Sequence, residues 1–224
     1  MKKTILFALV ILMVSASFAF AEPQNTQIPN TTGQAINTNN PNSITTITQT
    51  MTNERAQIRT KEELQNSINK KKQEMKNQTE TMSSGKKIAY NNQNQVRLAV
   101  HTMLMMENMT GGIGKEVSAI AIKYNNSIQS TLNAEEKIQT RGSITRFFFG
   151  GDETSANTLN KTTVQNREQI NTMNQLILNC TNCTEEVKTL MQEQIRTMEK
   201  EQNRLENLAK NELNRKGIFG WLYK

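Results

Sequence analysis

Aromatic residues make up only 5% of the 224 residues, with a single Trp, and the chain has one His, two Cys and three Pro. Each shortage excludes something. So few aromatics argue against a broad globular core and leave a nucleic-acid interface without its stacking residues, so no nucleic acid is expected as a partner. One histidine cannot supply the two Glu-x-x-His pairs of a di-metal helix bundle. Neither a Gly-x-Ser-x-Gly nucleophile turn nor a phosphate-cradling glycine loop occurs. The acidic residues are spread along polar faces with Lys and Arg at helical spacing, where pairing explains them. The chain therefore reads as non-enzymatic, with no cofactor expected.

What is present is polar, helical in period and mildly basic, with a formal net charge of +7. Residues 1–21 read as a signal peptide. Lys2 and Lys3 form its charged head, Ile5 to Val14 its apolar core, and Ala19-Phe20-Ala21 a small-x-small site before Glu22. An uncleaved anchor is the competing reading, because the apolar run is close to the minimum that spans a bilayer. Residues 22–42 carry all three prolines, Pro23, Pro29 and Pro41, among Asn, Thr and Gln, and read as a disordered linker.

From residue 43 the apolar residues recur at steps of three and four. The expected order is a long helix over 43–84, an αα-hairpin over 85–142, an aromatic loop at 143–151, a second αα-hairpin over 152–216 and an aromatic tail at 217–224. Ser83-Ser84-Gly85 and Gly111-Gly112 read as helix breaks, Gly142 as a C-terminal cap, and Asp152 and Thr184 as starts. The fold class is all-α, an elongated antiparallel helical bundle or coiled coil ending in an αα-hairpin. Long helices with narrow apolar stripes are what this composition can bury. The arms of the last hairpin measure about 42 and 50 Å at 1.5 Å per residue, so the tail should return beside residue 150. The Gly111-Gly112 turn and the cysteine turn should share the opposite end.

Four groups of residues invite a functional reading. Cys180 and Cys183, in a chain read as exported, are expected to form a disulfide that tightens the turn; a redox pair would want a βαβ context that is missing. His101 with Met103, Met105, Met106 and Met109 offers soft ligands for a metal such as Cu(I), but thioethers on a buried stripe are better explained as core filling. Sequons stand at Asn30, Asn77, Asn108, Asn125, Asn160, Asn179 and Asn182, near chance for this composition, and Asn182 in the turn is the glycosylation candidate.

The fourth group is the pair of aromatic segments: Phe147, Phe148 and Phe149, with Ile218, Phe219, Trp221, Leu222 and Tyr223. Apart from Tyr90 and Tyr124, these hold every aromatic residue after position 21. Two readings compete. The preferred one folds the segments over each other as an end plug. The other leaves an exposed apolar tip rimmed by Arg141, Arg146, Arg215, Lys216 and Lys224, facing a membrane surface or a protein.

Gly111-Gly-Ile-Gly114, Arg146-Phe-Phe-Phe-Gly-Gly-Asp152 and the terminal Gly217-Ile-Phe-Gly-Trp-Leu222, together with the leader, resemble a group of uncharacterised exported helical proteins of methanogenic archaea. The resemblance implies an envelope location and no activity. The expected role is a structural or interaction protein of the cell envelope, exported, with an envelope protein or membrane surface as partner and homo-oligomers possible through its helix faces. A membrane-active protein, or a metal or redox protein using the Met/His cluster or the Cys pair, are the alternatives.

Overall fold

The computed structural model describes Arg55 and residues 57–219. The leader, the linker and the last part of the tail, including Trp221, Leu222, Tyr223 and Lys224, lie outside the described residues. All described residues belong to one unit spanning Asn40–Lys224.

Every regular element among the described residues is helical: α1 Lys61–Glu80, α2 Ser84–Met105, a 3₁₀ turn Gly111–Ile113, α3 Gly114–Thr140, α4 Ser143–Phe149, α5 Glu153–Leu178 and α6 Glu185–Leu213. No helix among them is long and apolar enough to cross a membrane. The four long helices form a helical bundle, in which α2 packs on α3, α3 on α5, α5 on α6, and α6 back on α2. α5 and α6 run in opposite directions. Asn166 of α5 meets Gln202 of α6, and the Asp152 amide meets Glu212, so the early part of one helix lies against the late part of the next. α1 lies outside this ring against α2.

Local chemistry sets three of the helix starts. Asp152 accepts from the Ser155 amide at 2.9 Å and starts α5, while Thr184 accepts from the Val187 amide at 3.3 Å and starts α6. Glu185 and Glu186 place negative charge at the positive end of α6.

The observed elements differ from the expected boundaries in four places. The long helix over 43–84 is interrupted within the described residues: α1 begins at Lys61, where Thr60 and Glu63 form a reciprocal capping box. Ser84 and Gly85 do not break a helix but open α2. A side chain at Gly85 would collide with Thr140, so this glycine serves close approach of α2 to α3. The segment 143–151 is not a loop throughout, because Ser143–Phe149 forms α4. Gly142 precedes it with φ −63° and ψ 151°, starting α4 rather than ending α3 in a left-handed cap.

The apolar interior has two parts. The larger contains Val96, Val100, Met103, Leu104, Met105, Met106, Val117, Tyr124, Ile170, Met173, Ile177, Met191, Ile195 and Met198, with Cys180 and Cys183 among them. The smaller is made of Ala134, Ile138, Ala156, Leu159, Leu205 and Ala209, from α3, α5 and α6 alone.

Candidate functional site

At one end the cysteine turn meets the glycine turn. The Sγ atoms of Cys180 and Cys183 stand 1.94 Å apart with Cα atoms at 5.6 Å, a disulfide pair. Both side chains are buried, and their sulfurs lie 3.8 and 3.3 Å from the Thr110 carbonyl oxygen. The pair is thus part of the core that seats one turn on the other. Gly111, at φ 59°, adopts a left-handed conformation, and a side chain there would come up against Asn182. Asn182 itself is exposed.

The soft-ligand candidates lie in the same half as core residues. Met103, Met105 and Met106 are fully buried, and Met109 is partly buried against them. His101 is buried, with Nε2 3.0 Å from the Ser67 hydroxyl, which ties α2 to α1. No group of three or more His, Cys, Asp or Glu side chains placed to hold a metal ion occurs among the described residues.

At the other end the chain crosses over α4. The Ile218 amide donates to the Phe147 carbonyl at 3.0 Å and the Phe219 amide to the Phe148 carbonyl at 2.9 Å. The Phe148 and Phe219 rings stack with centroids 5.6 Å apart. This crossing requires glycine on both strands. Gly150 has φ 78°, and a side chain there would strike the Arg215 carbonyl, while one at Gly217 would strike Phe148 and Gly150. Glu212 fastens the junction, since its carboxylate accepts from Arg146 at 2.8 Å and from the Asp152 amide at 2.8 Å.

Of the residues in the end-plug reading, the structure describes Phe147, Phe148, Phe149, Ile218 and Phe219, while Trp221, Leu222 and Tyr223 lie outside the described residues. The segments do fold together, but their apolar side chains stay largely outside: Ile144 is 76% exposed, Phe147 59%, Phe149 52%, Ile218 51% and Phe219 38%. Nor is the basic rim free. Arg141 Nε donates to the Gly150 carbonyl, and Arg146 donates to the Arg141 and Ile138 carbonyls as well as to Glu212. These two guanidinium groups build the end rather than face a partner, leaving Lys216 and the part-engaged Arg215 at the edge.

Between the two apolar clusters lies a polar layer. Glu135 is fully buried and accepts two hydrogen bonds from Arg204, both 2.7 Å, together with Asn92 at 2.7 Å and Gln93 at 2.8 Å. Gln93 in turn accepts from Thr131. Arg204 also binds Glu201 at 2.7 Å. Beside this, Gln202 donates to the Tyr124 hydroxyl, and Asn166 links Ser127 to Gln202.

Burial pushes the Glu201 carboxyl above its ordinary value, against the opposing pull of Arg204. Burial would lower Arg204, but its bonds to both carboxylates outweigh that and raise it. Tyr124 is raised by burial and by the nearby Glu201. The layer is a satisfied network that fixes helix register, and its groups answer one another rather than a cavity. Its signal was available: Thr131, Glu135 and Asn166 fall on the apolar stripes of their helices.

No protein-family model, curated protein or solved structure matches the chain.

Proposed function

We propose that this chain is an exported, non-enzymatic structural or interaction protein of the cell envelope, an elongated antiparallel bundle that presents its α4 end to an envelope protein. The observation that carries the reading is the set of exposed apolar side chains gathered there. Ile144, Phe147, Phe149, Ile218 and Phe219 are exposed on two short segments that hold each other in place through backbone bonds. Isolated exposed apolar residues are ordinary, but a contiguous group of phenylalanines on a braced end has the composition of a contact surface. Bracing also lowers the ordering cost of binding, because the rings are presented by a preformed scaffold.

Crosslinking followed by pull-down from native envelope, with the wild-type chain and a Phe147→Ser/Phe149→Ser variant, tests this. The wild type should capture a defined protein that the variant loses while keeping its thermal stability. Equal capture by both would remove the α4 end from the argument. Flotation of the wild type, but not the variant, with protein-free liposomes would instead make the surface a lipid contact.

A further inference from the structure

We infer that Asn182 carries an N-linked glycan, an inference that rests on the reading of the chain as exported. Transfer of an oligosaccharide to Asn-x-Ser/Thr needs an accessible amide and a backbone that can bring the hydroxyl two residues on toward it. In a helix, residues i and i+2 face different directions, so a sequon locked in a helix cannot make that approach.

The described residues contain six sequons, at Asn77, Asn108, Asn125, Asn160, Asn179 and Asn182. Asn77, Asn125 and Asn160 lie within α1, α3 and α5. Their hydroxyl partners are also engaged: Thr79 and Thr162 are buried and donate to the Lys76 and Thr158 carbonyls, and Ser127 donates to Tyr124 and Asn166. Asn108 lies outside a helix, but its amide donates to the Arg55 carbonyl at 2.7 Å and Thr110 is buried. Asn179 is exposed yet keeps near-helical backbone angles, φ −87° and ψ 0°, as the cap of α5.

Asn182 differs from all of them. It is exposed in a non-helical turn, and Thr184 is exposed with extended angles, φ −68° and ψ 153°. Thr184 accepts from the Val187 amide, which uses an oxygen lone pair and not the hydroxyl proton. The disulfide holds the turn between two buried sulfurs, so the Asn182 side chain stays outside the core. The donor is an oligosaccharide carried on a lipid phosphate. The Asn182 amide nitrogen attacks the anomeric carbon, the new C–N bond forms as the C–O bond to phosphate breaks, the lipid phosphate leaves with that electron pair, and the amide proton passes to a base.

The test is mass mapping of the tryptic peptide spanning residues 168–188 from full-length protein made in its native host, with fragmentation to separate Asn179 from Asn182. The N-terminus of the same sample is determined in parallel. Sugar mass on Asn182 is expected, lost in Asn182→Gln and equally in Thr184→Asp. The second variant destroys the sequon while keeping a good N-cap, so its thermal stability should be retained. A chain that begins at Glu22 with Asn182 unmodified would falsify the inference and leave export standing. Equal sugar occupancy at Asn77, Asn125 or Asn160 would overturn the structural selection of Asn182. An intact leader on a chain confined to the cytoplasm would overturn the export reading, and this inference with it.

Discussion

The two halves of the bundle are built on different principles. The half that holds the cysteine turn is filled with Met103, Met105, Met106, Met173, Met191 and Met198, flexible side chains that fit irregular space, and is closed by a disulfide. The half that leads to α4 has a small interior of Ala, Leu and Ile138, walled off by the Glu135–Arg204 layer and closed by hydrogen bonds to Glu212. Hydrophobic burial dominates the first, while directional polar bonds define the second. Apolar packing alone tolerates sliding of helices; a bidentate guanidinium–carboxylate pair does not. The second half therefore sets the register in which the first half packs.

The sharpest way to break this contrast is Arg204→Leu, which strands Glu135 and Glu201 without their cation. It should cost roughly 3–5 kcal/mol at neutral pH in denaturant unfolding, and the loss should shrink in acid as the Glu201 carboxyl, pushed up by burial, takes up a proton. A loss below about 1 kcal/mol would mean that the layer is not structural.

Met103→Ala, in the other half, should cost about 2–5 kcal/mol as a cavity in a fully buried site, with no comparable pH dependence. Chemical denaturation at two pH values distinguishes the two variants.

Replacing Cys180 and Cys183 together by Ser should cost on the order of 2 kcal/mol, since the disulfide closes a very short loop and the helices on either side carry their own caps. The melting temperature of the variant against the oxidised wild type measures it.

The smallest effect is expected for Glu201→Gln. Because the folded value of the Glu201 carboxyl lies above its unfolded one, the folded chain takes up a proton first as pH falls. The ionised group thus disfavours folding above that raised value, and the penalty fades as pH drops toward the ordinary glutamate range. The stability of wild type relative to Glu201→Gln should rise on acidification through that window. A difference that moves the other way would show that Arg204 outweighs burial.

Much of the helix pattern was legible because it rests on local rules. Asp152 and Thr184 mark their helices by side chains that bond within the next turn, and the apolar stripes of α2, α3, α5 and α6 repeat at helical spacing. The Thr60–Glu63 capping box was also readable, but apolar residues on both sides invited one continuous helix across it. α4 was not legible. Three consecutive phenylalanines have no helical period, and the turn is held by Arg146 reaching Ile138 and Glu212, contacts that exist only once α3 and α6 are in place. Gly85 misled for a related reason, since its smallness answers Thr140 on another helix.

For the candidate sites, the meeting of the aromatic segments followed from helix lengths, whereas the exposure of their rings did not. Counting apolar residues cannot reveal that the backbone, rather than the side chains, makes the contact. Glu135 was visible as an acid on an apolar stripe, but its partner Arg204 lies 69 residues away, beyond any local rule.

The crossing of residues 217–219 over α4 has a mechanical consequence. A force applied beyond Phe219 does not pull first on α6. It loads the two backbone hydrogen bonds to the Phe147 and Phe148 carbonyls, then the Gly151 amide held by the Arg215 carbonyl, and behind them the Glu212 clamp to Arg146 and Asp152. Tension is thereby handed sideways into α4 and the start of α5 before the last helix can unwind. Residues 217–219 are thus moored to α4 by backbone hydrogen bonds, which take load before the core does.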